Sequence, residues 1–320
     1  MTLSIIIPIY NVADYLPACL DSLYSQGLDE ADFEVVCVND GSPDNSSDII
    51  KRYAALHPNL IYIEQQNQGV SVARNSALDA ARGELVMFVD ADDQVPHGAL
   101  PQVIANARQF ADTDLVICNS IINGHYYYDW HGKFQPLKNY DSTHILNSGY
   151  LRGSACGVLV RREFLNKHSI RFLPKVSNGE DTNLMMQIMY FTNKTAFFDL
   201  DLYKVVGRDT SASRTFTTQR IDAMIEALQP ISQCRQSLID QGGNREILDY
   251  MIYTALLNLV KDTSRTKGTG YAYLKKKGVQ KYSHFSIAPN TQFLRNKMKL
   301  INKSLFAFYY IRKISMMLRG

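Results

Sequence analysis

The first 120 residues switch repeatedly between two hydrophobic periods, and this alternation constrains the fold more than any other feature of the chain. Short apolar, β-branched runs end in polar turns, and each run is followed by apolar positions at helical spacing. Leu3-Ser4-Ile5-Ile6-Ile7, closed by Pro8, reads as a buried strand. Residues 33–38, 60–63, 85–89 and 115–118 read as four more. Residues 13–25, 44–56 and 69–82 read as the helices between them, the last stopped by Gly83. Such alternation predicts an α/β fold, a mostly parallel sheet with helices on both faces. Residues 181–191 read as a helix and 197–202 as a strand. From 218 onward the pattern is helical, over 218–240, 245–262 and about 291–318. The expected division is an α/β domain over 1–215 and a helical, basic region over 216–320.

Composition narrows the class. With 46% hydrophobic and 20% charged residues in 320, the chain is globular rather than disordered. No run of 18 apolar residues predicts a transmembrane helix. The start, MTLSIIIPIY, has neither a basic segment nor a cleavage site and does not read as a secretory signal. Cys19, Cys37, Cys118, Cys156 and Cys234 are scattered and form no CxxC, which argues against a zinc site and for a reducing compartment. Charge is polarised. Residues 261–320 hold 14 Lys and Arg against one acid, Asp262, a net +13, while the other 260 residues hold 20 bases and 30 acids, a net −10. A basic end of this kind points to an anionic surface.

In open parallel sheets ligands bind beyond the carboxyl ends of the strands, and three such ends here are polar. The first strand runs into Pro8-Ile9-Tyr10-Asn11, the second into Asn39-Asp40-Gly41-Ser42, the fourth into Asp90-Ala91-Asp92-Asp93. Three carboxylates in four residues repel one another unless a cation is present. Mg²⁺ or Mn²⁺ prefers such oxygens and keeps places open for phosphate. An isolated acidic turn of this kind is more often a solvated helix cap, but its place directly after LVMFV favours a site. Asp40-Gly41-Ser42 is by itself a common turn signal, and Tyr10 is either a core residue or a stacking face for a base. Gln68-Gly69 and Arg74 open the helix before the fourth strand, where a helix N-terminus and a guanidinium both suit a diphosphate. Taken alone, Arg74 reads as solvated. Glu180-Asp181, after Gly179, reads either as an acidic first turn or as a general base. No GxGxxG follows a strand and no P-loop is present, which disfavours dinucleotide enzymes and P-loop NTPases.

These blocks, over roughly residues 3–215, resemble the family 2 glycosyltransferases of GT-A fold. The resemblance rests on Ser4 to Asn11, Val38 to Ser42 with Asp44, Asn67-Gln68-Gly69 with Ala73-Arg74-Asn75, Asp90 to Asp93, Gly179-Glu180-Asp181, and Arg208 with Ser211 and Ser213. It implies a GT-A, Rossmann-like sheet followed by a helical extension, and an inverting, nucleotide-sugar-dependent activity. It places Pro8 and Tyr10 at the base pocket, Asp40 on the uracil edge and Asn11 among the contacts to the nucleotide-sugar. Gly69, Arg74, Asp90, Ala91, Asp92 and Arg208 fall along the rest of a UDP-sugar. Asp92 and Asp93 become the ligands of Mn²⁺ or Mg²⁺, and Asp181 the catalytic base with Glu180 beside it. Gly153 to Cys156 with Val160-Arg161-Arg162 is similar to the family's acceptor-side segment.

The implied acceptor is a lipid-linked saccharide for capsule, O-antigen or exopolysaccharide, and the implied place is the cytoplasmic face of the cell membrane. Residues 290–320 interleave bases with Phe, Leu, Ile, Met and Tyr, as a helix lying in a membrane interface does. A packed helix with a solvated basic face has the same pattern. An inactive nucleotide-sugar-binding relative is the second reading, and the full set of Asp92, Asp93 and Asp181 argues against it. A nucleic-acid-binding protein is the third. It lacks a binding motif, and no nucleic-acid partner is expected.

Overall fold

The computed structural model describes residues 1–150, 152–176, 178–206, 216–239, 241–282 and 304–317. The elements run β1 (Leu3–Ile9), α1 (Leu16–Tyr24), β2 (Phe33–Asn39), α2 (Ser46–Leu56), β3 (Leu60–Glu64), α3 (Val70–Ala80), β4 (Leu85–Phe88) and α4 (Ala99–Asn106). They continue with β5 (Leu115–Ile122), β6 (His125–Tyr126), α5 (Ser142–Asn147), β7 (Val158–Arg161), α6 (Arg162–Lys167), α7 (Glu180–Phe191) and β8 (Thr195–Val205). The remaining helices are α8 (Thr218–Leu238), α9 (Arg245–Arg265), α10 (Tyr271–Lys276) and α11 (Leu305–Met317).

Contacts divide the chain into two units. The first comprises Met1–Ser142, Ser154–Pro174 and Thr192–Arg208, and the second Thr143–Gly153, Lys175–Phe191 and Asp209–Gly320. Two stretches that precede residue 215, α7 among them, thus cluster with the C-terminal helices.

The first unit is built on one eight-stranded sheet in the order β3-β2-β1-β4-β7-β5-β6, with β8 also paired to β5. β1 lies parallel to β2 and β4, β2 to β3, and β5 to β8, whereas β7 is antiparallel to both of its neighbours. The central strands are buried on both faces, so they read as apolar runs, interrupted in β1 and β2 only by the buried Ser4, Glu34 and Asn39. Each fully buried Ile or Leu of this layer contributes about 1.5–3 kcal/mol of transfer free energy.

Several boundaries differ from the sequence reading, each for a local reason. β1 does not stop at Pro8 but continues to Ile9, because β4 pairs with it only as far as Ile6 and no ladder bond on that side needs the missing N–H. α3 ends at Ala80, and Gly83 is not its stop. A Cβ at Gly83 would lie 2.5 Å from the Ser4 nitrogen, so only glycine allows this approach. The approach closes a buried network: Gly83 N–H donates to Ser4 Oγ, and Ser4 Oγ donates in turn to Glu34 Oε1. Glu34 also accepts from the backbone and guanidinium of Arg82. Burial works against ionising Glu34, but the bonds from Ser4 and Arg82 more than offset it and hold the carboxyl below its usual range. β5 and β8 are longer than expected because they pair along most of their length, through two register shifts near Asn119.

The second unit is helical. α8 packs on α9, which also packs on α7 and α11. Leu184 and Ile188 of α7, Ile221 and Leu228 of α8, and Leu256 and Leu259 of α9 are buried together with Phe308 of α11. Thr217 caps α8 by accepting from Arg220 N–H, and Asn244 caps α9 by accepting from Glu246 N–H. Arg220–Asp262 and Arg235–Asp249 ion pairs tie α8 to α9. Of the long C-terminal helix expected over 291–318, α11 accounts for Leu305–Met317, and 291–303 lie outside the described residues.

Candidate active site

The first unit gathers the three polar strand ends. The loop after β1 is tied to the loop after β2: Asn11 N–H donates to Ser42 Oγ at 3.2 Å and Ala13 N–H to Asp44 Oδ2 at 2.8 Å. Asn11 takes a left-handed conformation, φ 54°, to make that turn. Pro8 lies within β1, while the Tyr10 ring is half exposed at 50%.

Asp40 is buried, and its carboxylate organises the next loop. Oδ1 accepts from Gln65 Nε2 at 2.7 Å and Gln68 N–H at 2.9 Å, and Oδ2 from Gly69 N–H at 2.8 Å. Gly69 is the N-cap of α3, so Asp40 fixes where that helix begins. Gly41 follows at φ 68°, and a Cβ there would lie 2.9 Å from Asn67 N. The family resemblance implies a uracil edge for Asp40; in the fold three of the carboxylate's acceptor positions serve residues 65–69.

Arg74, on α3, is 3% exposed rather than solvated. Its Nη2 donates to Asp90 Oδ1 at 2.8 Å, and its guanidinium sits over the Phe172 ring at 5.0 Å. Asp90, Asp92 and Asp93 bring one carboxylate oxygen each to within 4.8 Å of one another, with buried Ala91 between the first two. Asp93 is the most enclosed of the three. Its Oδ2 accepts from the buried Tyr203 hydroxyl at 2.5 Å and its Oδ1 from Val206 N–H at 2.7 Å. Burial pushes its carboxyl up to about 7 against these two bonds, and the charges of Asp90 and Asp92 push the same way. The all-oxygen donor set fits a hard divalent cation, which would relieve the mutual repulsion of the cluster.

In the second unit Glu180 and Asp181 occupy the first turn of α7, both half buried. Gly179 precedes them at φ 85° and its carbonyl accepts from Asn183 N–H at 2.9 Å. Acidic groups at this end of a helix are stabilised by its dipole. Arg208 lies outside the described residues. Arg161 and Arg162 of the acceptor-like segment are held by the fold: Arg161 donates to the carbonyls of Thr113 and Phe110, Arg162 to those of Gly83 and Arg82.

The model of glycosyl transferase family 2 matches residues 4–169, just over half of the chain. The chain belongs to that family. Among relatives of this family 2 protein is glycosyltransferase GlyA of Streptococcus pneumoniae, 30% identical over 71% of this chain and 33% of GlyA. Another is the poly(ribitol-phosphate) beta-glucosyltransferase of Bacillus spizizenii, 41% identical over 31% of this chain and 16% of the relative. The chain spans less than two thirds of the length of the first curated relatives it matches. The crystal structure of S. aureus TarS 1-349 in complex with UDP-GlcNAc superposes with a TM-score of 0.63 at 19% identity, covering 97% of this chain and 90% of that one. That likeness shows the GT-A fold.

Three residues of the first-unit cluster carry no local signal in this family 2 sequence. Tyr203 reaches Asp93 across 110 positions, Gln65 reaches Asp40 across 25, and Phe172 lies under Arg74 from a segment without periodicity.

Proposed function

We propose that this chain is an inverting, metal-dependent glycosyltransferase. It moves a hexosyl or N-acetylhexosaminyl group from a UDP-sugar to an acceptor hydroxyl on a lipid-linked precursor of a cell-surface polysaccharide and leaves a β-linkage. The observation that carries the reading is the convergence of Asp90, Asp92 and Asp93 to within 4.8 Å at the end of β4, beside buried Arg74. The UDP-GlcNAc complex of TarS and the polymer-directed name of the B. spizizenii relative support the donor and the acceptor class.

In this reading Tyr10 offers its exposed ring to the uracil, with Pro8 and Asn11 beside it and Asp40 holding the facing loop. Gly69, Arg74, Asp90 and Ala91 follow the ribose and diphosphate, with Arg208 at the diphosphate. Asp92 and Asp93 would hold Mn²⁺ or Mg²⁺, which would neutralise charge developing on the diphosphate. Asp181, oriented by its place in the first turn of α7 and with Glu180 beside it, takes the acceptor proton. The acceptor oxygen then bonds to the anomeric carbon as the bond from that carbon to the diphosphate breaks, and UDP departs with the electron pair. One displacement without a covalent intermediate inverts the anomeric centre.

Among the described residues no helix is long and apolar enough to cross a membrane. Attachment to the cytoplasmic face of the membrane falls to α11, whose Leu305, Phe308 and Tyr309 are buried while Phe306, Tyr310 and Ile311 are exposed at 51%, 41% and 51%.

The test is binding and turnover of a panel of UDP-sugars with and without Mn²⁺, on the wild type, Asp92→Asn and Asp181→Asn. One UDP-sugar is expected to bind in a metal-dependent way that Asp92→Asn removes. Asp181→Asn is expected to keep binding and lose transfer by about 10²–10⁴-fold. Failure of every UDP-sugar to bind with metal present overturns the reading.

A further inference from the structure

The second unit holds a partly open cavity of about 250 Å³ beside the start of α7. Apolar residues of α8, Ala227 among them, line one side, and Thr254 and Asn258 of α9 supply a hydroxyl and an amide. Where the start of α8 meets the end of α9 the lining turns basic. Arg220 is already neutralised, its Nε and Nη2 lying 3.0 and 2.9 Å from Asp262 Oδ2. Lys261 and Arg265 are not: among the described residues neither has a carboxylate within ion-pair distance. The Arg265 guanidinium is steadied instead over the Phe216 ring at 5.5 Å.

Two exposed bases one helical turn apart, both lining one cavity, repel each other and weaken the helix that carries them. The α9 dipole favours a base in its last turn but does not require two of them on the cavity side. A neutral saccharide would be met by amides, hydroxyls and aromatic rings alone. An anion matches the surplus positive charge, and a phosphate ester of a hydroxylated compound matches the Thr254 and Asn258 groups as well.

We propose that this cavity receives a phosphate ester carried by the acceptor, with Lys261 and Arg265 taking the phosphate oxygens. The inference rests on the transferase reading in one respect: Gly179 and Thr182, which flank Glu180-Asp181, line the same cavity and so place the ester next to the candidate base. Two sources share this chemistry, a polyol phosphate and a prenyl diphosphate.

The experiment measures binding to the full chain by titration calorimetry at fixed ionic strength. The probes are sn-glycerol 3-phosphate, farnesyl diphosphate, and glycerol as the neutral control, with UDP-sugar binding recorded in parallel. At least one phosphate probe is expected to bind and glycerol at equal concentration is not; tighter binding of the first identifies a polyol phosphate, of the second a lipid diphosphate. Lys261→Gln and Arg265→Gln are each expected to weaken phosphate binding about tenfold. Ala227→Trp, which fills the cavity and leaves both bases in place, is expected to abolish it. All three variants keep UDP-sugar affinity. Equal binding by wild type and all three variants, equal binding of glycerol, or no binding of either phosphate probe overturns the proposal. Should Ala227→Trp fail to fold, the two exposed-site variants still decide. Loss of UDP-sugar binding in the wild type would count against the transferase reading alone.

Discussion

Asp40→Asn separates a structural duty of the site from a ligand-binding one. The substitution conserves shape, so its effect comes from hydrogen-bond polarity. In the native loop Oδ1 receives two donors, from Gln65 and Gln68, and Oδ2 receives one, from Gly69. An asparagine amide presents one acceptor and one donor. Turned one way, its NH₂ meets the Gly69 N–H; turned the other, it meets both remaining donors. At least one bond to a charged acceptor is lost, about 1.5–3 kcal/mol, and the donor left behind turns to water, because Gln65 is half-buried and Gln68 and Gly69 are exposed. Relaxation of the loop and hydration of that donor recover part of this, so a loss of about 1–2 kcal/mol is expected, against the roughly 5–15 kcal/mol that holds a typical domain. Urea unfolding followed by circular dichroism measures it, with UDP affinity measured alongside. Both are expected to fall. If UDP affinity falls while the unfolding free energy stays within about 0.5 kcal/mol of wild type, Asp40 acts on the ligand alone and the reasoning from the loop is wrong.

Three further outcomes are expected. Because hydrogen bonds lower the Glu34 carboxyl in the folded state, its contribution is complete above the ordinary glutamate value and is lost as pH falls through the lowered one. Unfolding free energies of Glu34→Gln and wild type from urea titrations, measured from neutral to acidic pH, should therefore converge at the acid end, with a gap of about 2 kcal/mol near pH 7. Gly83→Ala should destabilise by about 1–3 kcal/mol or more, since its Cβ meets backbone rather than a movable side chain; thermal unfolding checks it, and a neutral result contradicts the close approach to Ser4. Replacing Phe306, Tyr310 and Ile311 together by Ser should reduce co-sedimentation with anionic liposomes without lowering the thermal midpoint, because all three side chains are exposed; unchanged co-sedimentation removes α11 as the membrane contact.

Much of the first unit is legible in the sequence because its central strands are buried on both faces. Residues such as Ile5-Ile6-Ile7 and Val35-Val36 then leave no polar position to blur the run. The strand ends are legible for the complementary reason, since polar residues there have no ladder to join. Short elements are not: β7 has four residues, and only its antiparallel insertion between β4 and β5 makes it a strand. α4 was equally hidden, eight residues without a side-chain cap. Asp90 to Asp93 can be picked out as a cluster from spacing, but not the fact that Asp93 is held by Tyr203 and Val206, because that contact depends on where β8 ends. Arg74 illustrates the same limit. Its sequence neighbours describe a solvated helix, and only the fold shows it buried against Asp90 and Phe172.

The order in which the chain visits its two units bears on how the protein can be dissected. It passes from one to the other five times, at residues 142, 153, 174, 191 and 208. A cut at 215 therefore does not release an intact half. The N-terminal fragment would keep α7 while losing α9, against which α7 packs, and would turn Leu184, Met185 and Ile188 out to water. Such a fragment is expected to be prone to aggregation, and complementation by separately expressed pieces should be inefficient. Surface positions inside one unit, such as the exposed Gly124 and Gly132 turns, are the better places to open the chain.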